Sequence, residues 1–202
     1  MTDAPLDPVI SAALHLVGER GWRGLAVRDI AAASGVTPEN MRRHFPCKTS
    51  ILLAYAKEVE RRAASEPAPF EPEDTVRDRL FELLMQRLDI LEEHRQPVVR
   101  ILRDMPFDPA GAAAAAPEVV RLMGAVLDQA GVPSGGPVGW LRRKGLAGVW
   151  LATLHVWARD DSPDHARTMA ALDSNLRRVE PAARLLAGLP AGRRAAAAPG
   201  GY

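Results

Sequence analysis

A chain of 202 residues with 47% apolar side chains can bury a core as one large or two small domains. Its 26 basic residues face 25 acidic ones, so no global field draws it to nucleic acid or an acidic membrane, and any basic footprint must be local. A single cysteine, Cys47, excludes an internal disulfide framework and a thiolate zinc site, which fits a reducing cytoplasm better than secretion.

The periodicity is helical throughout, and no run alternates as a strand would, so the expected fold class is all-α. A first helix is predicted over 7 to 20, with Ile10, Ala13, Leu14 and Val17 on one face and Gly21 as its stop. A second runs from Val27 to Ser34, burying Val27, Ile30 and Ala31, and Gly35 ends it. Thr37, Pro38 and Glu39 start a third, short helix that ends near Phe45. A long helix begins at Lys48, with Ile51, Leu52, Tyr55 and Val59 as its stripe, and fades at the proline-rich "SEPAPFEPED". Thr75 and Asp78 form a capping box for the next, whose stripe is Val76, Leu80, Leu83, Leu84, Leu88 and Leu91. Pro97 to Met105 reads as a helix, "PFDPAGAAAAAP" as a low-complexity loop, and Pro117 to Ala130 as another helix. Two long helices follow, over 138 to 159 and 163 to 188, the second opened by Ser162 and Pro163. The tail from 191 to 202 lacks a packing face and is expected to be disordered. No signal peptide is read at the N-terminus, and the longest apolar run, 146 to 158, is broken by His155 and too short for a bilayer, so no membrane partner is expected.

In the third helix Met41 and Phe45 lie four apart and face inward, which leaves Asn40, Arg42, Arg43 and His44 around the outer sides. A helix, a glycine turn and a second helix with a cationic face is the helix-turn-helix layout, whose second helix enters the major groove. Lys48, at the start of the following helix, is placed for a phosphate. Residues 1 to 57 hold seven Lys or Arg against five Asp or Glu, a local net of +2. Local pattern alone fits either a DNA reader or an αα-corner with solvated arginines.

The segment "ISAALHLVGERGWRGLAVRDIAAASGVTPENMRRHFPCKTSILLAYAKE" resembles the N-terminal module of the TetR family of transcriptional regulators over its whole length. "ERGW", "VRDIA", "SGV", Phe45 and Lys48 carry the resemblance. It implies a homodimer in which residues 1–57 bind a palindromic operator in double-stranded DNA through Arg28, Thr37, Glu39, Asn40, Arg42, Arg43, His44 and Lys48. It also implies that residues 58–190 form the ligand-binding and dimerisation domain. Four positions depart from the family pattern: Ala26 replaces a capping Thr, Arg42 and His44 stand at frequent aromatic positions, and Glu39 replaces Gly and repels nearby phosphate.

The segment "GLAGVWLATLHVWARDDSPDHARTMAALDSNLRRVE" is similar to the last helices of the ubiquinone-biosynthesis accessory proteins, which share a TetR-like fold but bind lipids instead of DNA. That makes a lipid- or isoprenoid-binding accessory protein the alternative function. Trp140, Trp150 and Trp157 offer a broad apolar surface for a cavity, an interface or plain core packing. Gly145 and Gly148 permit close helix approach, at a dimer seam, a cavity or within the chain. A small, predominantly apolar ligand is expected at Leu84, Leu88, Met123, Trp150, Leu154 and His155, and a dimer seam at Leu172 and Leu176. Asp160, Asp161, Asp164 and His165 read as caps and first-turn acids before they read as a metal site. No cofactor is expected. No nucleophile and base motif is present, so an enzyme is not expected either.

Overall fold

The computed structural model describes residues 8–66, 68 and 70–187, and among these the regular structure is helical throughout. The expected tail at 191 to 202 lies outside the described residues. Helix α1 (Pro8–Arg20) buries Ile10, Ala13, Leu14 and Val17 as its spacing requires, together with Val9 and Leu16. It ends at Gly21, whose φ of 74° is a left-handed conformation that side chains disfavour. Helix α2 (Val27–Ser34) lacks a side-chain cap at Ala26, but the Asp29 carboxylate accepts the Ala26 N–H at 3.0 Å and supplies half of a capping box. Helix α3 (Pro38–His44) starts where Thr37 Oγ1 accepts the Asn40 N–H at 3.4 Å.

Helix α4 (Lys48–Ser65) runs unbroken through residue 57, so the boundary expected there falls inside a helix whose Tyr55, Val59 and Ala63 are all buried. Helix α5 (Val76–Glu92) has the expected box, with Thr75 Oγ1 accepting from Asp78 N–H at 3.3 Å and Asp78 accepting from Thr75 N–H at 3.1 Å. Leu80 to Leu91 form its core stripe, but Val76, at the first position, overhangs the packed bundle and is 47% exposed. Helix α6 (Arg95–Asp104) starts two residues before Pro97, which sits in the first turn where a missing N–H leaves no bond unmade.

The alanine-rich stretch is helix, not loop: after a 3-10 turn (Met105–Phe107), α7 spans Pro109–Gln129 without interruption. Asp108 Oδ1 accepts the Gly111 N–H at 3.0 Å and Pro109 takes the first position, a start signal that outweighs low complexity because alanine has the best helix propensity. Pro117 lies inside this helix instead of opening one. By length and composition α7 could cross a bilayer, yet Leu122, Met123, Val126 and Leu127 are packed in the bundle core.

Helices α8 (Gly136–Trp157) and α9 (Ala166–Ala187) form the most extensive helix pair. Helix α9 starts three residues after Pro163, where the loop carboxylates Asp164 and Asp160, not Ser162, accept the first-turn amides of Ala166 and Thr168. Asp160 is buried and accepts from Thr168 N–H at 2.8 Å, Thr168 Oγ1 at 2.7 Å and Ser162 N–H at 3.2 Å. Burial raises its pKa, but these hydrogen bonds win and hold the carboxyl well below the usual range. Leu172 and Leu176 are 0% and 3% exposed within the single chain, so they belong to its own core and the seam expected there is corrected. Trp150 and Trp157 are buried as well, whereas Trp140 is 49% exposed.

One polar tie joins α4, α5 and α7. The buried Arg87 guanidinium donates to Glu60 at 2.9 and 2.5 Å, to the Leu83 carbonyl at 2.6 Å and to Gln129 Oε1 at 3.0 Å.

Candidate nucleic-acid interface and ligand cavity

Met41 is 1% exposed and pins α3 to the core, and Phe45 is half-buried behind it. That orientation turns Glu39, Asn40, Arg42, Arg43 and His44 to solvent, as the spacing requires. Arg43 donates to Glu39 Oε1 at 3.2 Å across one helical turn, so Glu39 partly neutralises and aims the arginine it was expected merely to accompany. Arg28, on α2, has a side chain 89% exposed and lies 3.9 Å from Asp29. Thr37 serves as the α3 cap while remaining exposed. Five polar side chains of α3 and one of α2 thus stand exposed on the helix-turn-helix surface, with Arg43 tied to Glu39 and Arg28 close to Asp29.

Lys48 is different. Its ammonium donates to the Trp22 carbonyl at 3.1 Å, lies 4.9 Å from the centre of the Trp22 ring and sits 3.8 Å from Asp108. Its side chain is only 24% exposed. Here the lysine expected at a phosphate makes internal contacts instead: Lys48 fastens the start of α4 to the α1–α2 loop and to the start of α7. Asp108 completes this knot by accepting from Trp22 Nε1 at 3.3 Å. The Gly111 amide, aided by Trp22 and Lys48, holds the Asp108 carboxyl below the usual range. Sequence spacing could not reveal a contact across 86 residues, although "DP" ahead of an alanine run is a legible helix start.

In the other half, the residues expected to hold a ligand do not meet around a cavity. Leu84, Leu88, Met123, Trp150 and Leu154 are all 9% exposed or less and pack against one another and their neighbours in a continuous core. His155 is exposed on α8, because it lies on the face opposite Trp150 and Leu154. A mostly apolar cavity of about 540 Å³ lies nearby instead, between the start of α5, the end of α7 and facing parts of α8 and α9. Leu80, Leu127, Leu141, Leu146, Leu176 and Val179 line it, with Arg77, Arg142 and Glu180 as its charged groups. The Arg142 guanidinium donates to the Pro133 carbonyl at 3.1 Å. Among the described residues, no group of three or more His, Cys, Asp or Glu is arranged to hold a metal ion.

Comparison with known proteins finds separate matches in the two halves of the chain. Residues 9–55 match the family model of the bacterial regulatory proteins of the tetR family, so the helix-turn-helix is of the tetR type. Residues 112–183 match the family model COQ9. The HTH-type transcriptional regulator CymR of Pseudomonas putida is 31% identical over 78 residues, which span 37% of this chain and 38% of that relative. A TetR transcriptional regulator from Nitrosomonas europaea superposes with a TM-score of 0.65 at 22% identity, covering 86% of this chain and 97% of that one. Another from Rhodococcus sp. RHA1 gives 0.58 at 20% identity, covering 91% and 96%. At these identities the superpositions show a shared fold.

Proposed function

We propose that this protein is a cytoplasmic, homodimeric transcriptional regulator, acting as a repressor, that reads a palindromic operator with α3 and is modulated by a small apolar ligand. The observation that carries the reading is the outward set Asn40, Arg42, Arg43 and His44 on a capped helix whose opposite face is locked by Met41. Arginine and asparagine are the side chains best suited to base edges in the major groove, and Arg28 on α2 is free to reach the backbone. A selection from a random duplex pool at low salt is expected to enrich a two-fold symmetric sequence. Failure to retain any duplex would sink the regulator reading.

The dimer seam in this reading lies on the outer face of α8. Leu141, Gly145, Gly148, Ala152 and His155 recur at steps of four and three, form one stripe and are all exposed. A Cβ placed at Gly145 or Gly148 would meet no atom within 4 Å, so the room their missing side chains leave is not used within the chain. Leu151, 52% exposed beside this stripe, joins the 47% exposed Leu141 in giving this face apolar area for a second copy to cover. Leu151→Glu is expected to yield folded monomers in sedimentation. An unchanged dimer would move the seam elsewhere.

The 540 Å³ cavity is the proposed ligand site, in place of the core residues the sequence suggested. Its apolar wall would desolvate an ionised guest without compensation except near Arg77, Arg142 and Glu180, so a neutral or single-headed amphiphile fits best. Such a ligand acts by preferring one of two arrangements of the paired helix-turn-helix units. A second reading, a lipid-binding accessory protein without DNA binding, draws support from the COQ9 match: ten of the fourteen residues that line the cavity fall within 112–183. Solvent extraction of the purified protein separates the two readings when set beside the duplex selection. A bound apolar lipid with no retained duplex favours the accessory role.

A further inference from the structure

A second hollow, of about 590 Å³, opens between the end of α1, the loop after it and α6. Arg20, Arg23, Arg100 and Arg103 line it, with Asp104 as the opposing charge. Four guanidinium groups against one carboxylate make a local net of +3, in a chain whose net charge is +1. Gly21 and Gly24 also line it and add only backbone, so the arginines supply the chemistry.

The one carboxylate is already engaged, because Asp104 Oδ2 accepts the Arg23 N–H at 3.0 Å. Arg23 itself is steadied by stacking over the Phe107 ring, 4.9 Å from its centre. Arg100 donates to the Glu19 carbonyl at 3.3 Å, which ties its guanidinium to the end of α1. Arg20 and Arg103 are exposed, and among the described residues neither has a hydrogen-bond or ion-pair partner. Arg100 and Arg103 lie three apart on α6, one turn from each other. Like charges gathered at one site repel one another unless an anion offsets them.

We propose that this hollow binds a small phosphate-bearing anion of at least two negative charges, gripped by Arg20 and Arg23 from one side and Arg100 and Arg103 from the other. Guanidinium suits this guest because its planar fork donates two parallel hydrogen bonds to phosphate oxygens and stays charged at every physiological pH. A single carboxylate would leave most of the local charge uncompensated. A diphosphate matches it closely. The position matters as much as the charge: Arg20 and Arg23 lead into the helix-turn-helix, while Arg100 and Arg103 belong to the helix bundle behind it. An anion held by both sides therefore clamps α1 to α6. Binding is independent of the proposed DNA reading, and only the consequence of the clamp for operator affinity rests on it.

The test is isothermal titration of the full-length protein with inorganic pyrophosphate, at two salt concentrations. One saturable site per chain is expected, with an affinity that falls as salt rises. Arg20→Gln combined with Arg103→Gln should raise the dissociation constant at least about tenfold, since two charge-assisted pairs are lost, and thermal melting should show the fold intact. Arg178→Gln, an exposed arginine of α9 outside the hollow, should leave it unchanged. Absence of saturable binding, or equal effects of the double variant and the Arg178 control, would overturn the proposal. So would a double variant that weakens duplex binding in a protein that ignores pyrophosphate, because the arginines would then serve the DNA backbone. A protein that takes up pyrophosphate at this hollow but retains no duplex keeps the anion site and removes the regulator reading.

Discussion

Arg87→Ala is expected to lower the stability of the fold by about 3–5 kcal/mol, the usual cost of breaking a buried ion pair from one side. The Arg87 side chain is 2% exposed and that of Glu60 16%, so neither charge can turn to solvent without moving helices. Without the guanidinium, Glu60 keeps the Gln129 side-chain amide at 3.3 Å and the more distant charge of Arg121, and the Leu83 carbonyl loses its added donor. At roughly 2–4 °C per kcal/mol for a chain of this size, the midpoint should fall by about 10 °C in a thermal melt. The penalty arises from the orphaned partner, not from the worth of the pair, so Arg87→Met with Glu60→Met should recover much of the loss. A single variant that melts within about 1 kcal/mol of the parent would show that water reaches Glu60 and that the tie is not structural.

The double variant Arg42→Ala, Arg43→Ala should weaken binding to the selected operator about 100-fold or more, at roughly 1–3 kcal/mol for each arginine that reaches a base edge. Both side chains are exposed, and Met41 rather than either arginine holds α3 in place, so the fold should be unaffected. Arg43 starts from a tie to Glu39 at 3.2 Å, and exposed pairs of this kind are worth only about 0.2–1 kcal/mol. Glu39→Ala should therefore strengthen duplex binding by up to about fivefold, because it frees Arg43 and removes a charge that repels phosphate. The salt slope separates base contact from backbone contact: losing one phosphate contact flattens it by roughly one unit, whereas losing a base contact relaxes sequence preference. Lys48→Ala should behave like neither, since its ammonium is held by Trp22 and Asp108. Equal affinity of the double variant and the parent would remove α3 from the interface.

Read by itself, the sequence determined what depends on neighbours a few residues apart. The starts of α3 and α5 are set by Thr37 and Thr75, whose hydroxyls accept from amides three residues on, and the face that α3 turns to solvent follows from Met41 and Phe45 standing one turn apart. The all-α class and the helix-turn-helix were legible for the same reason. The alanine-rich start of α7 was also within local reach, through Asp108 and Pro109, but low complexity masked it. The tertiary structure alone decided which of several apolar faces was covered. The run from 146 to 158 is apolar on more than one side, and only packing against α7 and α9 buries Trp150, Leu154 and Trp157 while leaving Leu151 and His155 outside. Packing also decided that Leu172 and Leu176 close the core of this chain, and that the cavity forms beside the expected residues instead of among them. Long-range contacts gave Lys48 to Asp108 and gathered four arginines from α1, its loop and α6 around one hollow. Side-chain charge is written locally, but its meaning depends on what folds beside it, across separations that helical periodicity does not encode.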